Sequence, residues 1–224
     1  MCGRYTLYSD KKTIEKTFKA PFRDDFYQPR YNIAPGSVNP VVLMGKAREV
    51  GIAGLRWGLV PSWADDENVG YKMINARSET IDKKPSFSKP FQRKRCIIPA
   101  NGFYEWKTLT SGKKLPFYIR LLDDELLGFA GLFDHWKPPS GEDLFTYTII
   151  TTEANALLQP LHERMPVILN PEEYEPWLDP LNSDTELLKN MLRPFPTDQM
   201  STMRVSDNVS KAENEGPELI YPVL

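Results

Sequence analysis

CIIPANGFYEWKTLTSGKKLPFYIRLLDDELLGFAGLF, residues 96–133, is the stretch that decides the fold class. It holds four β-like runs, CIIP (96–99), GFYEW (102–106), PFYIRL (116–121) and LLGFAGLF (126–133), separated only by turn-forming and polar residues. Outward from it the pattern repeats. TYTIITT (146–152) and MPVIL (165–169) follow, and VVLM (41–44) and GIAGLRWGLV (51–60) precede. Strands that come in series, without a helix between each pair, argue against a βαβ plan. They predict an α+β fold with a largely antiparallel, barrel-like core and peripheral helices.

The flanking segments read as short elements, as 20 prolines spread along 224 residues require. Ser9 reads as the N-cap of a short helix with Ile14 and Phe18 on its inner face. YNIAPG (31–36), set among Pro29, Pro35 and Pro40, reads as loop, and the polar, basic segment 64–95 as loop or short helix. Asn170-Pro171-Glu172-Glu173 has the signature of a helix start leading to Trp177. A second helix is expected from Ser183 through Leu187, Leu188 and Leu192. Nothing resembles a linker, so residues 1–224 are read as a single domain.

Composition bounds the function classes. Two cysteines cannot form a disulfide framework, and the N-terminus lacks the apolar core of a secretory signal, so a cytoplasmic location is expected. The longest apolar run, 126–133, is far short of the ~20 residues of a membrane span. Net charge is −2, yet residues 71–120 hold twelve Lys/Arg against three Asp/Glu, and residues 171–224 hold four against eleven. Such asymmetry permits a basic face on an acidic chain; a solvated face without a partner is the plainer alternative.

Several residues carry chemistry. Removal of Met1 would expose Cys2 as a 1,2-aminothiol, with an amine of pKa about 8 beside a thiol of pKa about 8.5. The distinctive reaction of that pair is with an aldehyde: the amine forms an imine and the sulfur closes a thiazolidine ring. An incidental N-terminal cysteine is the alternative. Gly3 would let the backbone enter a tight site, and Arg4 offers a charge suited to phosphate. Glu105, inside GFYEW, shares a strand face with Phe103; it is either desolvated and proton-donating or an edge carboxylate facing water. His162 is one of two histidines and can move protons near neutral pH, unless it merely caps or packs. His135, in FDHWKPP, reads as a loop residue. Asn75 and Arg77 would face one side of an extended segment, or serve a turn and a surface ion pair. Trp57, Trp63 and Trp106 lie near loops; Trp57 is expected in the core. Cys2, Cys96, His135 and His162 lack paired metal-ligand spacing, so neither a metal nor a cofactor is expected. Walker A, GxGxxG, HExxH and GxSxG are all missing.

MCGRY, YNIAPG (31–36), RWGLVPSW (56–63), INARSET (74–80), RCIIPANGFYEW (95–106) and HERMPVIL (162–169) occur in that order. In this the chain resembles the SOS response-associated peptidase (SRAP) family over residues 2–178, with an acidic, less clearly matched tail from about 180. The resemblance implies a protein with a cleft for single-stranded DNA that cross-links to abasic sites, in effect a self-modifying, lyase-like activity in DNA damage and the SOS response. It implies Cys2 as nucleophile, Asn75 as the residue orienting sugar or amine, Glu105 as acid/base and His162 as proton relay. It places Arg4, Arg77 and Arg164 on phosphates, Trp63 beside the DNA path and Thr151 in the site wall. Where some relatives have two consecutive tryptophans, this chain has Trp63-Ala64. The resemblance further implies a monomer that associates with the nucleoid and the replication machinery during damage, and peptidase action limited to removing Met1. A thiol peptidase using Cys2, and a non-covalent single-strand binder, are the competing readings.

Overall fold

The computed structural model describes residues 2–45, 47–138 and 141–223. In chain order the elements are β1 (Tyr5–Leu7), α1 (Lys11–Phe18), β2 (Arg30–Ile33), β3 (Val38–Met44), β4 (Val50–Trp57), β5 (Asn75–Arg77), α2 (Pro85–Arg93), β6 (Arg95–Ala100), β7 (Gly102–Thr108), β8 (Lys114–Leu121), β9 (Leu127–Trp136), β10 (Leu144–Glu153), β11 (Arg164–Pro166), β12 (Ile168–Leu169), α3 (Tyr174–Leu178), α4 (Thr185–Asn190) and β13 (Met200–Arg204). Short 3₁₀ turns fill several of the connections.

The long strands close on themselves. β10 pairs with β4, β4 with β3, β3 with β6, β6 with β9 and β9 again with β10, a five-strand barrel in which the β10–β4 pairing alone is parallel. Closure leaves these strands no free edge. β10 outruns the closure. Its far half, Ile149–Glu153, takes β5 in parallel and β11 antiparallel, which brings Arg77 and Pro166 both opposite Thr151. A second, five-stranded sheet, ordered β13-β8-β7-β1-β2, packs alongside and is antiparallel throughout. The α+β, largely antiparallel, barrel-like expectation agrees with this architecture.

Tyr5 of β1 joins the two sheets. Its ring lies edge-on to Trp57 of β4 at 5.3 Å and to Phe129 of β9 at 6.1 Å. Its hydroxyl shares a 2.9 Å hydrogen bond with that of Tyr147 on β10, which also accepts from Asn39 Nδ2 at 3.0 Å. All four rings and Asn39 are buried, so the polar atoms are satisfied within the core. Trp57 stacks on Tyr147, as its expected core role requires.

Several local expectations need correction. Asp10, not Ser9, caps α1, because its carboxylate accepts the Thr13 amide at 3.0 Å while Ser9 receives Asn101. YNIAPG is only half loop: residues 31–33 belong to β2, where Ile33 pairs with Tyr5, and the turn begins after them. His135 lies in β9 opposite Phe145, on whose ring it stacks, with Nε2 2.7 Å from Asp143. MPVIL is two strands, since the backbone leaves β10 for β9 around Val167, whose amide and carbonyl bond one strand each. The acidic tail is no appendage. β13 pairs with β8, and Val205, Val209 and Leu219 form a small second core with Tyr104 and Tyr118. Among the described residues, no helix is long and apolar enough to cross a membrane.

The joint makes a direct prediction. Tyr5→Ala should cost about 3–5 kcal/mol through the cavity it leaves. Tyr5→Phe, which loses one hydrogen bond, should cost about 1 kcal/mol. Denaturant melts of the two variants check the order; equal losses would mean that the ring is not what joins the sheets.

Candidate functional site

Two neighbouring strands of the second sheet, β1 and β7, meet at the start of the chain. Cys2 is fully buried, three residues before Tyr5. β1 pairs with β7 through Tyr5↔Phe103, and the Tyr104 amide donates to the Arg4 carbonyl at 2.9 Å. Along β7 the alternation then sends Tyr104 into the second core and Glu105 toward the first. Glu105 is 3% exposed, so it is the desolvated carboxyl, not the edge one. Burial raises its pKa to about 7, against the pull of the amino-terminal charge and the Trp106 amide. The carboxyl is thus poised to give or take a proton near neutral pH.

Cys2 feels the same environment. Burial pushes its thiol well above the ordinary range, and the Glu105 charge adds to this; the amino-terminal charge and a hydrogen bond from the Arg4 amide oppose it. Burial thus favours the neutral form of the thiol in the folded chain. His162 enters from the loop before β11. Its Nδ1 accepts the Arg164 amide at 2.9 Å, which leaves Nε2 as the protonated nitrogen of the neutral ring. Burial and the amino-terminal charge hold its pKa below the usual value. Cys2, Glu105 and His162 thus all respond to the charge at the start of the chain. Met1 itself, and with it the question of its removal, lies outside the described residues.

A second group occupies contiguous strands. Asn75 and Arg77 lie on β5 with buried Ala76 between them, the extended arrangement that their spacing suggested. Asn75 Nδ2 lies 3.5 Å from the Ile149 carbonyl, and its buried Oδ1 accepts no hydrogen bond among the described residues. Arg77 is exposed opposite Thr151, which is buried, with Oγ1 3.5 Å from the Ala76 carbonyl. Arg164 holds Glu79 with both terminal nitrogens, at 2.5 and 3.0 Å, and the Thr151 carbonyl at 2.6 Å. Since the Arg164 amide also bonds His162, this group is continuous with the first.

Arg4 and Trp63 stand apart. Arg4 Nη1 donates to Asn32 Oδ1 at 2.7 Å and to the Val209 carbonyl at 2.9 Å, and its guanidinium lies 5.9 Å from the Trp106 ring centre. Asn32 is fully buried and its Nδ2 donates to the carbonyls of Lys211 and Asn214, both at 2.9 Å. Sequence reasoning noticed Arg4 and missed Asn32, whose place inside a loop-like motif concealed the anchoring role. Trp63 is 60% exposed beside α2. No cluster of three or more His, Cys, Asp or Glu side chains suited to a metal occurs among the described residues.

Comparison with known proteins gives this geometry a context. Residues 1–212 match the family described as SOS response associated peptidase (SRAP), well past residue 178, where the resemblance read from the sequence ends. The chain is 47% identical over 225 aligned residues to abasic site processing protein YoqW of Bacillus subtilis, covering 98% of this chain and 99% of that one. It is 36% identical over 232 aligned residues to abasic site processing protein HMCES of Gallus gallus, covering 90% of this chain and 68% of that one. A crystal structure of a protein from Bacteroides thetaiotaomicron superposes with a TM-score of 0.89 at 28% identity over the full length of both chains.

The buried carboxyl sets a stability profile. Glu105 ionises at about 4.5 in its ordinary state and at about 7 when folded. Between those values the folded chain binds the extra proton, so its stability falls as pH rises, by roughly 3 kcal/mol in all. Glu105→Gln should remove that slope and melt at a higher temperature than the parent at pH 8. Melting curves from pH 4 to 8 that run parallel for the two proteins would contradict the assigned ionisation.

Proposed function

The chain belongs to the SOS response associated peptidase (SRAP) family, and on that premise we propose that it processes abasic sites in single-stranded DNA by becoming covalently joined to them through Cys2. The observation that carries the reading is the pairing of a buried N-terminal thiol with Glu105, a carboxyl that titrates at about 7 within electrostatic reach of it. The relatives' shared description as abasic site processing proteins supplies the substrate class.

The chemistry balances without oxidant or cofactor. Once Met1 is removed, the Cys2 amine adds to the aldehyde carbon of the ring-opened abasic sugar. Glu105, as the acid, protonates the departing hydroxyl, and water leaves to give an imine. The Cys2 sulfur then adds to the imine carbon; its proton passes by way of the Glu105 carboxylate to the nitrogen, closing a thiazolidine. Two new bonds join protein and DNA, and one water is lost. A carboxyl with a pKa near the working pH can serve both steps. His162, neutral with its proton on Nε2, assists sugar ring opening, and the open acceptor of Asn75 orients the amine. Arg77, Arg164 and Thr151 line the strand path; Arg4 acts through Asn32 and the C-terminal segment that holds β1.

The protonated thiol counts against the thiol peptidase alternative. Such an enzyme needs a standing thiolate, whereas here burial and the Glu105 carboxylate outweigh the amino-terminal charge and favour the neutral thiol. Peptidase action restricted to Met1, a monomeric state, and association with the nucleoid and replication machinery in the cytoplasm complete the proposal.

The test uses intact protein whose mass shows that Met1 is gone. Mixed with a uracil-containing oligonucleotide treated with uracil glycosylase, the parent should give a heat-resistant shifted band on a denaturing gel, and Cys2→Ala should give none. An equally stable band from Cys2→Ala would end the proposal. Glu105→Gln should slow band formation roughly a hundredfold while leaving affinity for intact DNA unchanged. Arg77→Glu should reduce affinity instead.

A further inference from the structure

Arg164 carries a charge that the protein has already engaged. Glu79, in the 3₁₀ turn Ser78–Thr80 that follows β5, holds Nη1 at 2.5 Å and Nη2 at 3.0 Å, and Nη2 also donates to the Thr151 carbonyl at 2.6 Å. The Arg164 side chain is 12% exposed and that of Glu79 47%, so the arginine is the enclosed partner and the carboxylate the open one. Partial burial raises the pKa of Glu79, but hydrogen bonds from Arg164 and from its own amide, with the charges of Arg164 and Arg77, outweigh this, and the net shift is downward. Glu79 is thus negative at neutral pH and within electrostatic reach of both arginines. Glu153, opposite Arg164 on β10, and Glu163, before it in the chain, are exposed and form no ion pair among the described residues.

A fixed negative charge beside Arg77 and Arg164 repels the phosphates that these residues are proposed to meet. Its structural effect lies elsewhere, in the turn before β11. That strand is three residues long, and Arg164 is its first. The turn is tied by the His162 amide to the Leu158 carbonyl at 2.9 Å and by the Ala154 amide to the Glu163 carbonyl at 3.0 Å. The Arg164 amide then fixes the His162 ring by donating to Nδ1 at 2.9 Å. The guanidinium of the same residue adds a cross-tie, to β10 through Thr151 and to the end of β5 through Glu79. A grip by two nitrogens on one carboxylate sets the plane of the guanidinium as well as its position.

We infer that Glu79 is a positioning residue for the cross-linking reaction: it holds Arg164, and through the Arg164 amide the His162 ring, in working geometry, while weakening the hold of the protein on the DNA strand. An ordinary exposed ion pair contributes little. This one differs because its arginine is enclosed and because the backbone of that arginine holds a residue of the site. The inference rests on the DNA reading above and adds to it a residue that acts on the reaction through Arg164 and His162.

The test sets Glu79→Gln against the parent in three measurements whose expected signs differ. Fluorescence anisotropy with a labelled oligothymidine free of abasic sites should show about fivefold tighter binding, because a unit charge near the phosphates is gone. The slope of log affinity against log salt should steepen by up to about 0.7 as Arg164 becomes free for a phosphate. On an abasic oligonucleotide at saturating protein, band formation should slow roughly tenfold. Glu79→Asp, which keeps the charge, should restore parent-like affinity and part of the rate. The third measurement needs no DNA. With two histidines in the chain, the imidazole nitrogen signals should show His162 protonated on Nε2 in the parent and as a mixture of tautomers in Glu79→Gln. Weaker binding by Glu79→Gln, a parent-like rate at saturation, or identical His162 signals in the two proteins would each overturn the inference. A parent that fails to cross-link would instead sink the DNA reading, and the His162 signals would then decide alone whether Glu79 positions that ring.

Discussion

The docking of Tyr5 against the barrel is the constraint from which the site follows. A three-residue strand has too few backbone hydrogen bonds to hold itself, and chain termini fray unless something ties them down. Here an aromatic ring enters a box made by Trp57 and Phe129, and its hydroxyl finds Tyr147 in a place where an unpaired polar atom would be costly. With Tyr5 fixed, Cys2 has no freedom to leave the interior. The Arg4–Asn32 link to the C-terminal segment braces the same strand from its other side. The two ends of the chain are therefore parts of one support for its second residue.

That support explains the unusual ionisation around Cys2. The interior that secures the strand also removes water from Glu105 and from the thiol, and both respond by favouring the neutral form. A carboxyl held near neutrality is a proton carrier for addition and dehydration steps, whereas a carboxylate at its ordinary value would be a weak acid catalyst at pH 7. Stability is given up for this arrangement above pH 7, where Glu105 is charged and buried, a cost that functional sites commonly carry.

β10 distributes the remaining residues. One half closes the barrel with β9 and β4; the other half carries β5 and β11 and so sets Arg77, Thr151 and Arg164 beside one another. β9 acts in the same way at its far end, where Asp134 and Trp136 hold the Trp63 loop. Two strands of the barrel thus order both the Arg77, Thr151 and Arg164 group and the loop that carries Trp63.

The order of β-runs, their period and the short turns between them were enough to determine an antiparallel, barrel-like α+β fold, because strand alternation and connection length are local properties. The residue types at Cys2, Glu105 and His162 suggested, beside plainer alternatives, the aldehyde and proton-transfer chemistry proposed for the site. Local reading went astray where a distant partner decided the outcome. Ile33 became strand because Tyr5 pairs with it, Val167 broke a strand because two neighbours compete for it, and His135 was drawn into β9 by its pairing with β10. Glu105 could be read as buried or exposed until β1 and β8 enclosed β7. Asn32 and Asp134 gave no sign of their anchoring roles, since each holds groups more than 70 residues away. Burial and the ionisation it controls belong to the assembled sheets: solvent exclusion at one residue is produced by others far along the chain, and no window of sequence contains them.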